Sequence, residues 1–570
     1  MLTSELSLNY SKKKIFALLV IILIVSLGFK LYLVDFSSLP VEDTYGYVIR
    51  SIAHNNGDFT ENERKTLGWS LFLSPFMLLL DSDEPLDYIN IARLSSIIIS
   101  SVTIYPMYLL ARRLFNEKFS IAASCLFAFQ PHLNYNSVQG ISEPLFILFS
   151  ILAFYLILSK DDRIKYIAFI VTGLLLWVRF NGIIILVIMS ILYFYNSDFS
   201  KKRIAKFMFA ILIFVLVVSP TLIQKYDQFG DPFYFSQSNT IFLENYVSVV
   251  AENTTTQNYS AMDYINENGI ASFFDKFILH GIFNISLAIY KILFPYLIVL
   301  FPIGVFFSIR GFDQPKKFIK SNWIWILISL GLFVIYFSIV PEKRLIYFII
   351  PNLILISVLP IERLIKYGLS TFSFTEKQKN TSLVIVIIVV FLLSSVYTLN
   401  YELPSKIEEN EKLLFAQTIN TKLDGKILDA GYTLRSLMYV TLNEPNSNFK
   451  NFGDLQDVNT WWSGTKNLQV VNLYATNFDT FIIAAQESEL KYISINKNGV
   501  NIQWYPYLDE IYENEKDFPN LRKIFDSVGL EISRLKRTRF GPLFLPPTLK
   551  KGDHLELSNK EIESLKNYGT

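Results

Sequence analysis

Uncharged apolar runs recur along residues 1–400, and they constrain this chain more than any motif it carries. Phe16–Leu27 and Ser382–Ser395 contain no charged side chain at all. A helix needs about 20 mostly apolar residues to cross a bilayer, because hydrocarbon cannot satisfy an open backbone N–H or C=O. The pattern predicts eleven spans, at 15–34, 89–110, 118–135, 141–158, 164–179, 181–196, 204–223, 287–309, 321–340, 343–360 and 381–399. The expected fold class is therefore an α-helical polytopic membrane protein. A cleaved signal peptide does not account for the first run: it is long enough to span, no small-residue cleavage site follows, and further spans do.

Charge density divides the chain. About 15% of residues 1–400 are charged, against 25% of residues 401–570, and about 25% is typical of a soluble domain. Residues 1–400 are expected to form the membrane domain and 401–570 a soluble α/β domain outside it. In the tail, 404–422 and Glu510–Ser527 read as helices. Leu468–Leu473, Thr480–Ala484 and Lys491–Ile495 read as strands, being rich in β-branched and aromatic residues. The lone Cys125 excludes a disulfide framework and reads as a small buried hydrophobe. A net charge of +2 shows no bias toward nucleic acid, and none is expected as a partner. The four histidines lack metal-ligand spacing, so a His-rich zinc site is not expected.

Lys and Arg concentrate in cytoplasmic loops. With a cytoplasmic N-terminus, those loops would hold Arg112-Arg113, Lys160 to Lys165, Lys201 to Lys206, Arg310 to Lys320 and Arg363 to Lys379. The opposite loops are mixed or acidic. This predicts an odd number of spans and an extracytoplasmic C-terminal domain, in the plasma membrane. In the first outer loop, 43–54 and 67–80 read as interfacial or re-entrant helices. The long loop 224–286 carries two sequons, at Asn253 and Asn258.

The scarce charges at the outer boundary are the candidates for chemistry. Glu42-Asp43 directly follows the first span, and Asp43, Tyr47 and Arg50 then share one helical face. Ser142-Glu143-Pro144 opens a later span, just after a loop that contains His132. Arg179 lies in an apolar stretch, and Lys343-Arg344 begin the tenth span. Each has a plain structural alternative: a first-turn acid favoured by the helix dipole, or a cation snorkelling to the interface. Together they place acids and cations on one side of the bundle. Acids there can bind a divalent metal or take a hydroxyl proton. Cations there can hold a phosphate. A substrate that needs both and enters from the bilayer is a lipid phosphate.

These residues resemble the GT-C superfamily of membrane glycosyltransferases, in the branch of the dolichyl-phosphate-mannose protein mannosyltransferases and the bacterial aminoarabinose transferases. The resemblance covers roughly residues 10–365. It rests on Glu42-Asp43 and the interfacial helix after it, Leu67-Gly68-Trp69-Ser70, Ala92-Arg93-Leu94, Leu110-Ala111-Arg112-Arg113, Ser142-Glu143-Pro144-Leu145-Phe146, Arg179 with Asn181-Gly182, and Arg344. It implies a GT-C-like fold and an inverting transferase that takes a sugar from a polyprenyl (dolichyl) phosphate. The acceptor would be a hydroxyl on a glycan, lipid or protein. Asp43 would be the base, with Glu42 assisting. Arg344, with Lys343 and Arg179, would hold the donor phosphate. Glu143, His132, Tyr47 and Arg50 are further substrate or metal candidates. Magnesium or manganese is a candidate cofactor, with Asp43 and Glu143 as its ligands. The family often has Asp-Glu or Asp-Asp where this chain has Glu42-Asp43, and prolines where it has Thr66-Leu67-Gly68. Trp461-Trp462-Ser463-Gly464 lacks the acid of the oligosaccharyltransferase motif, so N-glycan transfer is not inferred. A transporter or flippase of lipid-linked saccharide, or an inactive GT-C-like scaffold, are the alternative functions.

Overall fold

The computed structural model of the chain describes residues 12–59, 66–82, 84–195, 199–234, 241–243, 259–310, 316–403, 413–417, 420–421, 424–429, 468–470, 478–494, 539–540 and 543–544. The two sequons, Trp461-Trp462 and the helix expected at 510–527 lie outside the described residues, as does the Glu42 side chain.

The described membrane part is built of helices. It runs α1 (Lys12–Leu33), α2 (Glu42–Asn55), α3 (Gly68–Met77), α4 (Pro85–Val102), α5 (Ile104–Ala111), α6 (Glu117–Ala128), α7 (Pro131–Ser137), α8 (Glu143–Ile157), α9 (Asp162–Val178), α10 (Gly182–Tyr195), α11 (Lys201–Phe229) and α12 (Ala261–Asn268). It continues with α13 (Ile270–Leu293), α14 (Leu297–Arg310), α15 (Lys316–Ile339), α16 (Lys343–Thr371) and α17 (Glu376–Glu402). Among the described residues, seven helices are long and apolar enough to cross a membrane. They are α1, α4 joined to α5, α11, α13, α15, α16 and α17, and the shorter apolar helices α8, α10 and α14 lie among them. The interfacial pair expected at 43–54 and 67–80 is present as α2 and α3.

Two expected spans are broken, each at a proline. The run 118–135 divides into α6 and α7, because Gln130 caps a new helix that opens on Pro131; proline suits a first turn but interrupts an existing helix. The run 287–309 divides at Phe294-Pro295 into α13 and α14. Phe277 of α13 packs with Ile339 and Val340, and the carbonyl of Lys291 meets His132. Both ends of that stretch therefore touch the end of the bundle that carries Lys343 and Arg344.

Helix α16 is almost wholly enclosed, whereas α1, α11 and α17 present most of their surface outward. Its core contact with α15 is polar: Asn352 donates to Asn322 Oδ1 at 2.8 Å, and Asn322 returns a bond to the Asn352 carbonyl at 3.0 Å. Lys30, the one charge in the first span, is buried and donates to Ser100 at 2.9 Å and Ser101 at 3.4 Å on α4. Small hydroxyl residues thus hold a cation that lipid would not.

The described tail contains a parallel sheet ordered β2-β1-β3, from β1 (Gly425–Asp429), β2 (Leu468–Val470) and β3 (Leu490–Ser494). A two-residue antiparallel pair, β4 (Arg539–Phe540) and β5 (Leu543–Phe544), follows. The strand expected at Thr480–Ala484 is instead part of α18 (Phe478–Glu487). Phe481 and Ala485, four apart, are its buried positions, which is a helical stripe and not a strand alternation.

Gly68 shows why the Leu-Gly-Trp motif contains a glycine. A Cβ there would lie 2.5 Å from the backbone carbon of Trp177, so α3 can pack on the end of α9 only without one. Gly68→Ala is expected to destabilise the protein by about 1–3 kcal/mol, the cost of overpacking a close contact. Thermal unfolding in detergent checks this, and an unchanged midpoint would count against the packing.

Candidate active site

The loop after α1 is fixed by Arg93 of α4. Its guanidinium donates to the Asp35 carbonyl at 3.1 Å, the Ser38 carbonyl at 2.9 Å and Asn90 Oδ1 at 3.0 Å. This sets where α2 begins, and Asp43 is its second residue. Thr44 then donates to the Gln139 carbonyl at 2.7 Å, and Trp69 of α3 donates to the Gly140 carbonyl at 3.1 Å. Gly140 sits at φ +80°, and a Cβ on it would come within 3.1 Å of Arg93 N and Thr44. The acidic helix, the second interfacial helix and the 138–142 loop are thereby stitched into one platform.

Pro341 ends α15, and the chain re-enters as α16, whose first residues, Lys343–Ile349, form 3₁₀ turns. Lys343 and Arg344 therefore lie at the same end of the bundle as Asp43. Arg344 Nη1 meets Asp43 Oδ2 at 2.5 Å, and its Nε meets Glu342 Oε2 at 2.7 Å. One guanidinium is thus shared between two carboxylates. Lys343 turns the other way, to Glu402 at 3.0 Å.

A second acid–arginine pair stands beside the first. Arg179, in extended backbone just past α9, places Nη1 2.5 Å from Glu143 Oε1. Ser142 precedes Glu143 but does not cap α8. Its hydroxyl instead meets Tyr47 OH at 3.1 Å and accepts from Arg179 at 3.3 Å. Arg179 lies within electrostatic reach of Glu143, Tyr47, Arg344 and Asp43. The pairs differ in access. The Glu143 side chain is 4% exposed, whereas those of Asp43 and Arg344 are 31% and 36% exposed. Asp43 is the acid an incoming substrate can reach, and Glu143 is placed to hold Arg179.

His132, from α7, is fully buried between three partners. Its Nε2 meets the Lys291 carbonyl at 2.8 Å, and its Nδ1 lies 2.8 Å from Glu402 and 3.2 Å from Lys343 Nζ. His132 therefore braces Lys343 through Glu402 and is enclosed by protein. Glu402 is the site residue that sequence reasoning missed, as was the role of Glu342. The available signal was that Glu402 is the first charge after the last apolar run. Arg50 is buried on α2, with His54 in its field.

A divalent metal needs several carboxylate or imidazole ligands gathered at one point. Among the described residues no three His, Cys, Asp or Glu side chains gather to hold one. Asp43 and Glu143, the candidate ligands, are each engaged by an arginine.

Residues 76–223 match the family profile described as dolichyl-phosphate-mannose-protein mannosyltransferase. The apo oligosaccharyltransferase of Archaeoglobus fulgidus is similar with a TM-score of 0.53 at 13% identity, over 85% of this chain and 69% of that one. ArnT from Cupriavidus metallidurans, solved with undecaprenyl phosphate, is similar with a TM-score of 0.50 at 13% identity, over 80% of this chain and 90% of that one. A 45-residue stretch is 47% identical to ribosomal large subunit pseudouridine synthase B of Pseudomonas aeruginosa, covering 8% of this chain and 12% of that protein. The chain thus spans only about an eighth of that curated relative, too little of either protein to define a fold. The fold is that of a polytopic membrane protein of the kind seen in the oligosaccharyltransferase and ArnT. The chain thus shares the fold of these two proteins, and its residues 76–223 match the mannosyltransferase profile. Asp43 and Arg344 both lie outside the matched segment, and the fold brings them to Glu143 and Arg179 within it.

Tyr47 gives a pH test of this packing. Burial, reinforced by Asp43, pushes its phenol up from 10.0 to about 12. A raised folded-state value means that the stabilisation from Tyr47 is intact below about pH 10 and is lost as pH rises toward 12. Tyr47→Phe is expected to lose less stability than wild type across that window in denaturant titrations. Equal losses would contradict the buried, hydrogen-bonded phenol.

Proposed function

We propose that this protein is an integral membrane glycosyltransferase that moves a sugar from a polyprenyl (dolichyl) phosphate to an acceptor hydroxyl in a single inverting displacement. The open Asp43–Arg344 pair at the mouth of a GT-C bundle carries this reading. Two facts about similar proteins support it: ArnT was solved with undecaprenyl phosphate, and the matched family is described by a dolichyl-phosphate-mannose donor. The latter favours mannose as the sugar, transferred to a hydroxyl on protein, glycan or lipid. The cation-rich loops lie at the opposite end of the bundle from Asp43. By the positive-inside rule this supports a cytoplasmic N-terminus and a reaction on the extracytoplasmic face, which we assign to the plasma membrane.

In the resting site Arg344 neutralises Asp43, which makes the carboxylate a weak base. A donor phosphate competes for the same guanidinium, since a planar fork binds phosphate as well as carboxylate. Donor binding thereby draws Arg344 away and frees Asp43. The acceptor hydroxyl then attacks the anomeric carbon. The new C–O bond forms as the bond to the phosphate oxygen breaks, and the hydroxyl proton passes to Asp43. The electron pair leaves on polyprenyl phosphate, whose charge Arg344 stabilises, with Lys343 and Arg179 alongside. Inversion follows from one in-line step.

Asp43→Asn, assayed in membranes supplied with a radiolabelled polyprenyl-phosphate sugar, is expected to lower transfer by about a hundredfold or more, the scale of losing a general base. Wild-type transfer by that variant would remove Asp43 from the role. Arg344→Lys keeps the charge but loses the fork, and is expected to raise the KM for donor. A donor KM equal to wild type would place the phosphate elsewhere.

A further inference from the structure

A second charged site lies at the far end of the same helices. Helix α9 begins at Asp162 and ends beside Arg179, and its 17 residues separate the two ends by about 25 Å. At the Asp162 end is a cavity of about 350 Å³ whose walls include Lys160, Lys165, Lys202, Arg203, Lys206 and Lys317. Among the described residues no acidic side chain lines it. Helices α9, α11 and α15 all start here, so three positive dipole ends add to six cations.

The cavity is built and is not a loose surface patch. Lys165 is 2% exposed. Asp162 fixes two walls by accepting from Arg203 at 2.6 Å and from Lys206 at 2.5 Å. The Arg203 guanidinium lies 4.6 Å over the Tyr193 ring, and its Nε is buried without a hydrogen-bond partner among the described residues. A buried donor of this kind marks a position where an acceptor is wanted. Leu158 and Phe318 complete the rim. Toward the bilayer, α11 exposes Ile204, Met208 and Leu212, an apolar track leading away from the cations.

We infer that this cavity binds the phosphate headgroup of an anionic phospholipid, with the acyl chains lying along α11. Cations at headgroup level between helices favour a phosphodiester, and the adjoining apolar track favours a lipid over a free phosphate. This site is separate from the proposed donor site and does not depend on which compartment its face meets.

Native mass spectrometry of the full chain in neutral detergent tests the assignment, with phosphatidylglycerol, phosphatidylcholine and inorganic phosphate as probes. Phosphatidylglycerol is expected to be retained about tenfold more strongly than phosphatidylcholine, the scale of a few cations near a headgroup. Lys160 and Lys202 are exposed at the rim, and the Lys160→Gln/Lys202→Gln double variant is expected to abolish that preference while unfolding at the wild-type temperature. Equal retention of the two lipids, or a preference that survives the double variant, overturns the proposal. Retention of inorganic phosphate without a lipid preference overturns the lipid assignment. Should the double variant unfold early, Lys317→Gln on α15 gives the same reading: lost preference supports the site and unchanged preference overturns it.

Discussion

The ion pair between Asp43 and Arg344 joins two residues 301 positions apart, and the rest of the site is arranged around it. Neither charge could stand at a membrane boundary alone without cost. The fold solves this by bringing the acid from α2 and the cation from the start of α16 to the same end of the bundle. Arg93 and the Gly140 loop fix the acid, and Pro341 fixes the cation by ending α15 one turn short of it. The pair helps to close the bundle electrostatically, and both of its side chains stay partly open.

Glu143, Arg179 and Lys343 at that end each have a partner that restrains them. Glu143 and Arg179 close on each other in a nearly buried pair, with Ser142 and Tyr47 as hydroxyl bridges. Lys343 is held by Glu402, which His132 braces from behind. Paired groups of this kind are costly to break by removing one member, because the survivor is left charged and buried. The open pair is the exception, and a charged ligand can exchange into it without stranding a buried group.

Much of this was legible in sequence, and the failures have specific causes. The membrane class and the interfacial helices could be read because apolar length is a composition property, whereas eleven spans were expected and seven described helices are long and apolar enough to cross. Asp43, Glu143, Arg179 and Arg344 could be picked out singly because charge is rare near the membrane. Their pairing could not, since no local pattern relates residue 43 to residue 344. Glu402 escaped because it adjoins a tail of ordinary charge density, where one more acid carries no signal. The break at Pro295 was hidden by apolar residues on both sides, and at Pro131 the flanking Gln130 and His132 carry no charge to mark the break as a loop. At 480–484 a five-residue window is too short to tell a buried helical stripe from a strand.

The two ends of the bundle handle charge in opposite ways, and the difference bears on what each can bind. At the Asp43 end every cation described in the network faces a carboxylate: Arg344 has two, Arg179 has Glu143, and Lys343 has Glu402. An anion entering there must displace an acid, so its binding is coupled to the freeing of a base. At the Asp162 end six cations line the cavity and the single Asp162 is shared among three of them, so positive charge is left over for an entering anion. The first arrangement suits a substrate whose arrival must switch on chemistry. The second suits a resident anion that stays in place while the rest of the protein works. Because α9 runs from one end to the other as a single helix, an anion bound at the Asp162 end fixes the helix whose far end carries Arg179.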